Sequence, residues 1–217
     1  MRKTSYFVTF AAVALTLLMN VLSAHRPDWL VVHYDEVLYT RVTVTFGLHE
    51  RCQLTLSEIP SGDGKGKISY KNYECRHFPG SVTDQCEKEN KTFCAAWVSA
   101  GYIDELAIGF ASVSLVAILF GVTTHSRRRR IWRAVSGLVL FQAVCQISTF
   151  ALITEMYYNS NYPSFKQARP GIAYVLHTIS WILSILISFC VLWTGVAADA
   201  GHQWAAGNRA YHPIMSG

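Results

Sequence analysis

The sequence predicts a membrane α-helical fold: a four-helix transmembrane bundle carrying a small extracellular antiparallel β-sheet. Three observations carry that expectation. The chain has 217 residues, 51% of them hydrophobic and only 15% charged, which is more apolar than an ordinary soluble domain. Four runs are long enough to cross a hydrocarbon core of about 30 Å, which takes roughly 20 mostly apolar residues. Four of the six cysteines lie between the first two runs, in a stretch that also alternates with the two-residue period of strands.

The first run, residues 5–24, follows Arg2 and Lys3. A basic start, an apolar stretch and small residues at the end also describe a signal peptide. Leu22 fits poorly three positions before such a cut and the apolar stretch is long, so the run reads as a retained helix. Residues 106–124, 131–154 and 171–197 supply the other three spans. Basic residues near helix ends set orientation. Arg2 and Lys3 precede the first span, and residues 125–130 form a basic cytoplasmic loop with Arg127, Arg128, Arg129 and Arg130, followed by Arg133. Both termini are therefore expected in the cytoplasm of a multi-pass plasma-membrane protein, with residues 25–105 and a second loop, 155–170, outside and a short tail, 198–217, inside. The net charge of +5 owes much to this juxtamembrane cluster. It reads as a topology signal that also attracts anionic lipid, worth about 1 kcal/mol per residue near the surface, and not as nucleic-acid binding.

The outer segment 25–105 reads as a disulfide-braced β domain. In "LYTRVTVTF", Leu38, Thr40, Val42, Val44 and Phe46 point one way and Tyr39, Arg41, Thr43 and Thr45 the other, as in a half-exposed strand. Gly47 then permits a bend. "CQLTLSE" and "KISYKNYEC" flank the turn-rich "IPSGDGKG", a hairpin pattern. The four outer cysteines, Cys52, Cys75, Cys86 and Cys94, allow three pairings. Folding the hairpin about Asp63 and Gly64 puts Cys52 opposite Cys75, as a cross-strand disulfide requires, which favours Cys52–Cys75 with Cys86–Cys94. The second pair closes a tight loop around the sequon Asn90-Lys91-Thr92, an acceptor for an N-glycan on an outer surface. These cysteines with His33, His49 and His77 show no C-x-x-C and no regular histidine spacing, so neither a metal nor any other cofactor is expected. Cys145 and Cys190 fall inside spans, as small apolar fillers.

At Trp29, Gly47, Leu48 and Cys52 the chain resembles the claudin and peripheral myelin protein superfamily. These tetraspan proteins carry Trp, then Gly-Leu-Trp, then two cysteines in a large first outer loop. The organisation is similar too, with four helices, inside termini and a short second outer loop, and "GIAYVLHTISWILSIL" looks like the family's last span. The resemblance implies an outer sheet resting like a palm on the helix bundle, with Trp29 and Leu48 wedged between sheet and helix ends. Three departures stand out. His49 replaces the family's second Trp, the second cysteine lies much further on, and the C-terminal "YHPIMSG" lacks an apolar last residue.

Inside the bilayer, helix association depends on close packing and interhelical hydrogen bonds. Ser180, Ser184 and Ser188 recur every four residues on the last helix and Gln142 and Gln146 do so on the third, so two polar stripes are expected to meet. His177 reads as a structural residue near the outer end of its span. Asp104 and Glu105 are adjacent and diverge on a helix, and no G-x-S-x-G or H-E-x-x-H occurs, so no enzyme is expected. The functional expectation is contact with other membrane proteins or with itself through the outer domain, organising adhesion or membrane domains. The alternative is a channel-forming or channel-modulating subunit, since residues 25–105 carry twelve acidic residues against nine basic ones and an acidic face attracts cations.

Overall fold

The computed structural model describes residues 3–36, 40–60, 67–87, 89–123, 125–159, 165 and 167–206. Helix α1 (Lys3–His25) is followed by four strands, β1 (Leu30–Glu36), β2 (Thr40–Phe46), β3 (Glu50–Pro60) and β4 (Lys67–His77). Helices α2 (Lys91–Thr123) and α3 (His125–Asn159) come next, then the two-residue strand β5 (Arg169–Pro170), α4 (Ile172–Asp199) and the short α5 (Gln203–Ala206). Four of the helices are long and apolar enough to cross a membrane, over Thr4–His25, Lys91–Gly121, Ile131–Asn159 and Ile172–Asp199.

Two helices outrun their apolar stretches. Residues 91–105, expected in the β domain, form the first turns of α2. Their hydropathy is unremarkable, but Cys94, Trp97, Ala100 and Asp104 are buried at helical spacing, so one face is held by packing. Asn90 sits at the helix start, where its carbonyl accepts from Cys94 N at 2.9 Å, a position Asn favours. The expected loop 125–130 is likewise the start of α3, because arginines are good helix formers and nothing there breaks a helix. The side chains of Arg127, Arg128, Arg129 and Arg130 lie outside the described residues, as do Leu38, Tyr39, Asp63, Gly64 and positions 160–164, 166 and 207–217.

The chain divides into two compact units. One comprises Met1–Asn20, Leu106–Ile147 and Ile179–Gly217. Its apolar interior gathers Tyr6, Val13, Ile118, Trp132, Val135, Val139 and Val191. Gly195 lets the Trp132 ring lie flat on α4, where any Cβ would overlap it. Phe7, Leu18, Phe120, Phe141 and Phe189 point outward, each more than half exposed, as suits hydrocarbon surroundings and not water. Cys190 also lies on this outer surface and Cys145 is half-buried, so Cys190 fills no core gap.

The other unit comprises Val21–Glu105 and Ser148–Thr178, and so holds the sheet together with parts of α1 to α4. The sheet has the order β4-β3-β2-β1-β5 and is antiparallel throughout. In β2, Val42, Val44 and Phe46 are buried while Arg41 is exposed, the alternation of a strand with one face on a core. β3 and β4 pair from Glu50↔His77 to Pro60↔Lys67 with Cys52 facing Cys75. β5 is too short to show in sequence. It pairs with β1 through Leu30↔Pro170, and Gly171 N donates to Trp29 O at 2.9 Å.

Candidate functional site

Of the four residues that carry the family resemblance, Trp29 and Leu48 lie in the core under the sheet and Gly47 bends the chain beside it, while Cys52 sits in β3 itself. Trp29 is fully buried, and its indole N–H donates to Ser23 O at 2.8 Å. Its ring lies against that of His177, 4.8 Å between centroids, and edge-on to Tyr174 at 6.3 Å. Leu48 is buried in the same core, with Trp97 and Ala100 of α2, Ile153 and Met156 of α3 and Ala173 of α4. Gly47 makes the bend: its N–H donates to Glu50 O at 2.8 Å and its carbonyl accepts from Trp97 Nε1 at 3.2 Å. A Cβ there would meet Pro27 Cα at 2.8 Å and Arg26 O at 2.9 Å, so only glycine lets the two backbones approach this closely. Phe46, Phe78, Trp97 and Phe165 complete the core as a ring cluster with centroids 5.1–5.6 Å apart.

Each member of the Asp104–Glu105 pair finds a histidine. Asp104, fully buried, points to His177, also fully buried, with Oδ1 and Nδ1 3.4 Å apart. Glu105 faces outward and meets His49 Nε2 at 3.5 Å. Gly101, one turn earlier, makes room for the His49 ring, whose Cε1 would lie 3.1 Å from a Cβ. Adjacent positions put Asp104 and Glu105 on diverging helix faces, and their sequence alone names a partner for neither. The signal for His49 was its replacement of a Trp, with a glycine and a carboxylate four residues apart on the helix it touches.

Beside this contact lies an open cleft of about 410 Å³, lined among others by His25, His49, His77, Arg26, Arg76 and Glu50. Both arginines are engaged by carboxylates. Arg26 makes a two-pronged pair with Asp28 at 2.9 and 2.7 Å, which raises the guanidinium above its ordinary pKa. Arg76 grips the buried Asp84 with two bonds of 2.7 Å. Glu50, Cys52 and Cys75 place ligand atoms within 4.8 Å of one another. Both sulfurs are spent in the Cys52–Cys75 disulfide, and a thiolate is the metal ligand.

The disulfides brace the far half of the sheet. Cys52–Cys75 ties β3 to β4, and Cys86–Cys94 ties the following turn to the first turn of α2. Asn90 is half-buried and its Nδ2 donates to Asp84 O at 2.9 Å, so the sequon occupies the helix start. β4 is an end strand, and Ser69 to Cys75 are exposed on both of its faces. Tyr70 and Tyr73 are 64% and 58% exposed, so this edge, which has no further strand beside it among the described residues, carries two amphipathic rings.

In the first unit the polar stripes of α3 and α4 meet. Gln142 Nε2 donates to Ser184 Oγ at 3.2 Å and Gln146 Nε2 to Ser180 Oγ at 2.8 Å, while Ser184 Oγ donates to Gln146 Oε1 at 3.3 Å. Ser188 pairs instead with Ser136, donating to its carbonyl at 3.2 Å. Thr16 of α1 joins the network, accepting from Gln142 at 3.4 Å. Arg133 is exposed, with Asp199 at 3.4 Å. Compared with family models and with curated proteins, the chain matches none.

Proposed function

We propose that this is a claudin-like tetraspan protein of the plasma membrane, with both termini cytoplasmic, that acts without catalysis through contacts made by its outer β domain. Those contacts are lateral, with other membrane proteins or with further copies, or reach an apposed cell, and they organise adhesion or membrane domains. Membrane lipids are its other partners, and Arg127, Arg128, Arg129, Arg130 and Arg133 meet the anionic leaflet. The observation that carries this reading is the asymmetry of the sheet. Its β1–β2 half is buried on the helices through Trp29, Phe46 and Leu48, while β4 stands exposed on both faces with Tyr70 and Tyr73 outward. An unanchored, disulfide-stiffened ribbon costs little ordering entropy on binding.

Crosslinking in native membranes, followed by identification of the neighbours, tests the proposal. Recovery of the chain itself or of adhesion proteins supports it, and replacing Tyr70 and Tyr73 with Ser should then reduce the yield. Recovery of a channel subunit points to the modulator role, and a solitary monomer overturns both.

A further inference from the structure

In the first unit two buried amide oxygens lack a donor and one buried amide NH₂ lacks an acceptor among the described residues. Gln142 is fully buried and its Oε1 has no partner among the described residues. Asn20, one turn beyond Thr16 on α1, is also fully buried, and among the described residues neither its Nδ2 nor its Oδ1 has a partner. The neighbouring hydroxyls cannot fill the gap, because their protons are committed. Thr16 donates to Val13 O at 2.9 Å and Ser180 to Thr16 O at 3.1 Å. Ser184 divides its proton between Ser180 O at 2.9 Å and Gln146 Oε1. Reversing the Gln142 amide only exchanges an orphaned oxygen for an orphaned NH₂, since the oxygen would then face hydroxyls with no proton to give.

We propose that α1, α3 and α4 hold internal water inside this unit, bound at the Asn20 side chain and at Gln142 Oε1. Three facts select water over a cation. Gln142 Oε1 and Asn20 Oδ1 need a donor, whereas Asn20 Nδ2 needs an acceptor, which a metal ion cannot supply. Among the described residues, every buried polar residue of the unit, Thr16, Asn20, Ser114, Ser136, Gln142, Gln146, Ser180, Ser184 and Ser188, is neutral. A cation there would therefore stand in hydrocarbon surroundings without a counter-charge. Water serves as donor and acceptor at once and commonly occupies such sites in protein interiors. A polar cluster read from sequence as helix-to-helix glue is thus a hydrated one.

Water-edited solid-state NMR on the full chain in lipid nanodiscs, with ¹⁵N-labelled asparagine and glutamine, tests this. The Asn20 side-chain amide is identified by its disappearance in Asn20→Leu, or by its displacement in Asn20→Gln if the Leu variant does not fold. Magnetisation should pass from water to the Asn20 amide although that residue is fully buried. Transfer from protein and lipid acyl protons alone would overturn the proposal. So would a shift of the Gln142 amide on exchanging sodium for choline, which would identify a cation.

Discussion

The Asp104–His177 pair offers the sharpest test of how the helices of the second unit are held. Both side chains are fully buried with Nδ1 and Oδ1 3.4 Å apart, and the Trp29 ring closes over the imidazole at 4.8 Å. Asp104→Leu leaves the imidazole without this carboxylate, and His177→Leu leaves the buried carboxylate without this imidazole. Breaking one side of a buried pair costs about 3–5 kcal/mol, whereas replacing both partners by apolar residues of similar volume is often neutral or better. For a chain of this size that translates to roughly 10 °C in midpoint for each single variant. The double variant Asp104→Leu/His177→Leu should recover most of the loss. Thermal unfolding in detergent, followed by tryptophan fluorescence because Trp29 touches His177, gives all four corners of the cycle. If the losses simply add, or if either single variant melts with the wild type, the two groups are uncoupled and the reasoning fails.

Further outcomes follow from neighbouring contacts. Gln142→Leu with Gln146→Leu removes the bonds to Thr16, Ser180 and Ser184 at about 0.6 kcal/mol each, so detergent stability should fall by roughly 2 kcal/mol; an unchanged melting curve would mean the stripes do not meet. Gly47→Ala puts a methyl against the Pro27 and Arg26 backbones, and overpacking of this kind costs about 1–3 kcal/mol, visible as a lower midpoint, whereas Gly109→Ala, exposed inside α2 with nothing within 4 Å, should not lower it, since Ala is the better helix former. Cys52→Ser with Cys75→Ser opens a loop with a sequence separation of 23, which the chain-entropy estimate values at about 3 kcal/mol. Non-reducing peptide mapping of the wild type should recover Cys52 joined to Cys75 and Cys86 joined to Cys94, and free thiols at those positions would contradict the topology.

Much of this architecture is written in local pattern. Run length marks the four apolar helices, because about 20 apolar residues at the helical rise are long enough to cross a hydrocarbon core. The alternation in β2 assigns Val42, Val44 and Phe46 to the core, because successive strand residues face opposite sides. A hairpin folded about its turn sets Cys52 against Cys75, since one register number places every pair. Tertiary structure decided what depends on partners distant in the chain. The early start of α2 rests on a face that packs beneath the sheet, and β5 exists only because β1 offers it an edge. Asp104 meets His177 across 73 positions of sequence, and His49 finds its place because Gly101 leaves a gap. Spacing in the sequence hints at the α2 face and at the His49 contact, but which remote partner each meets is fixed by how distant surfaces fit.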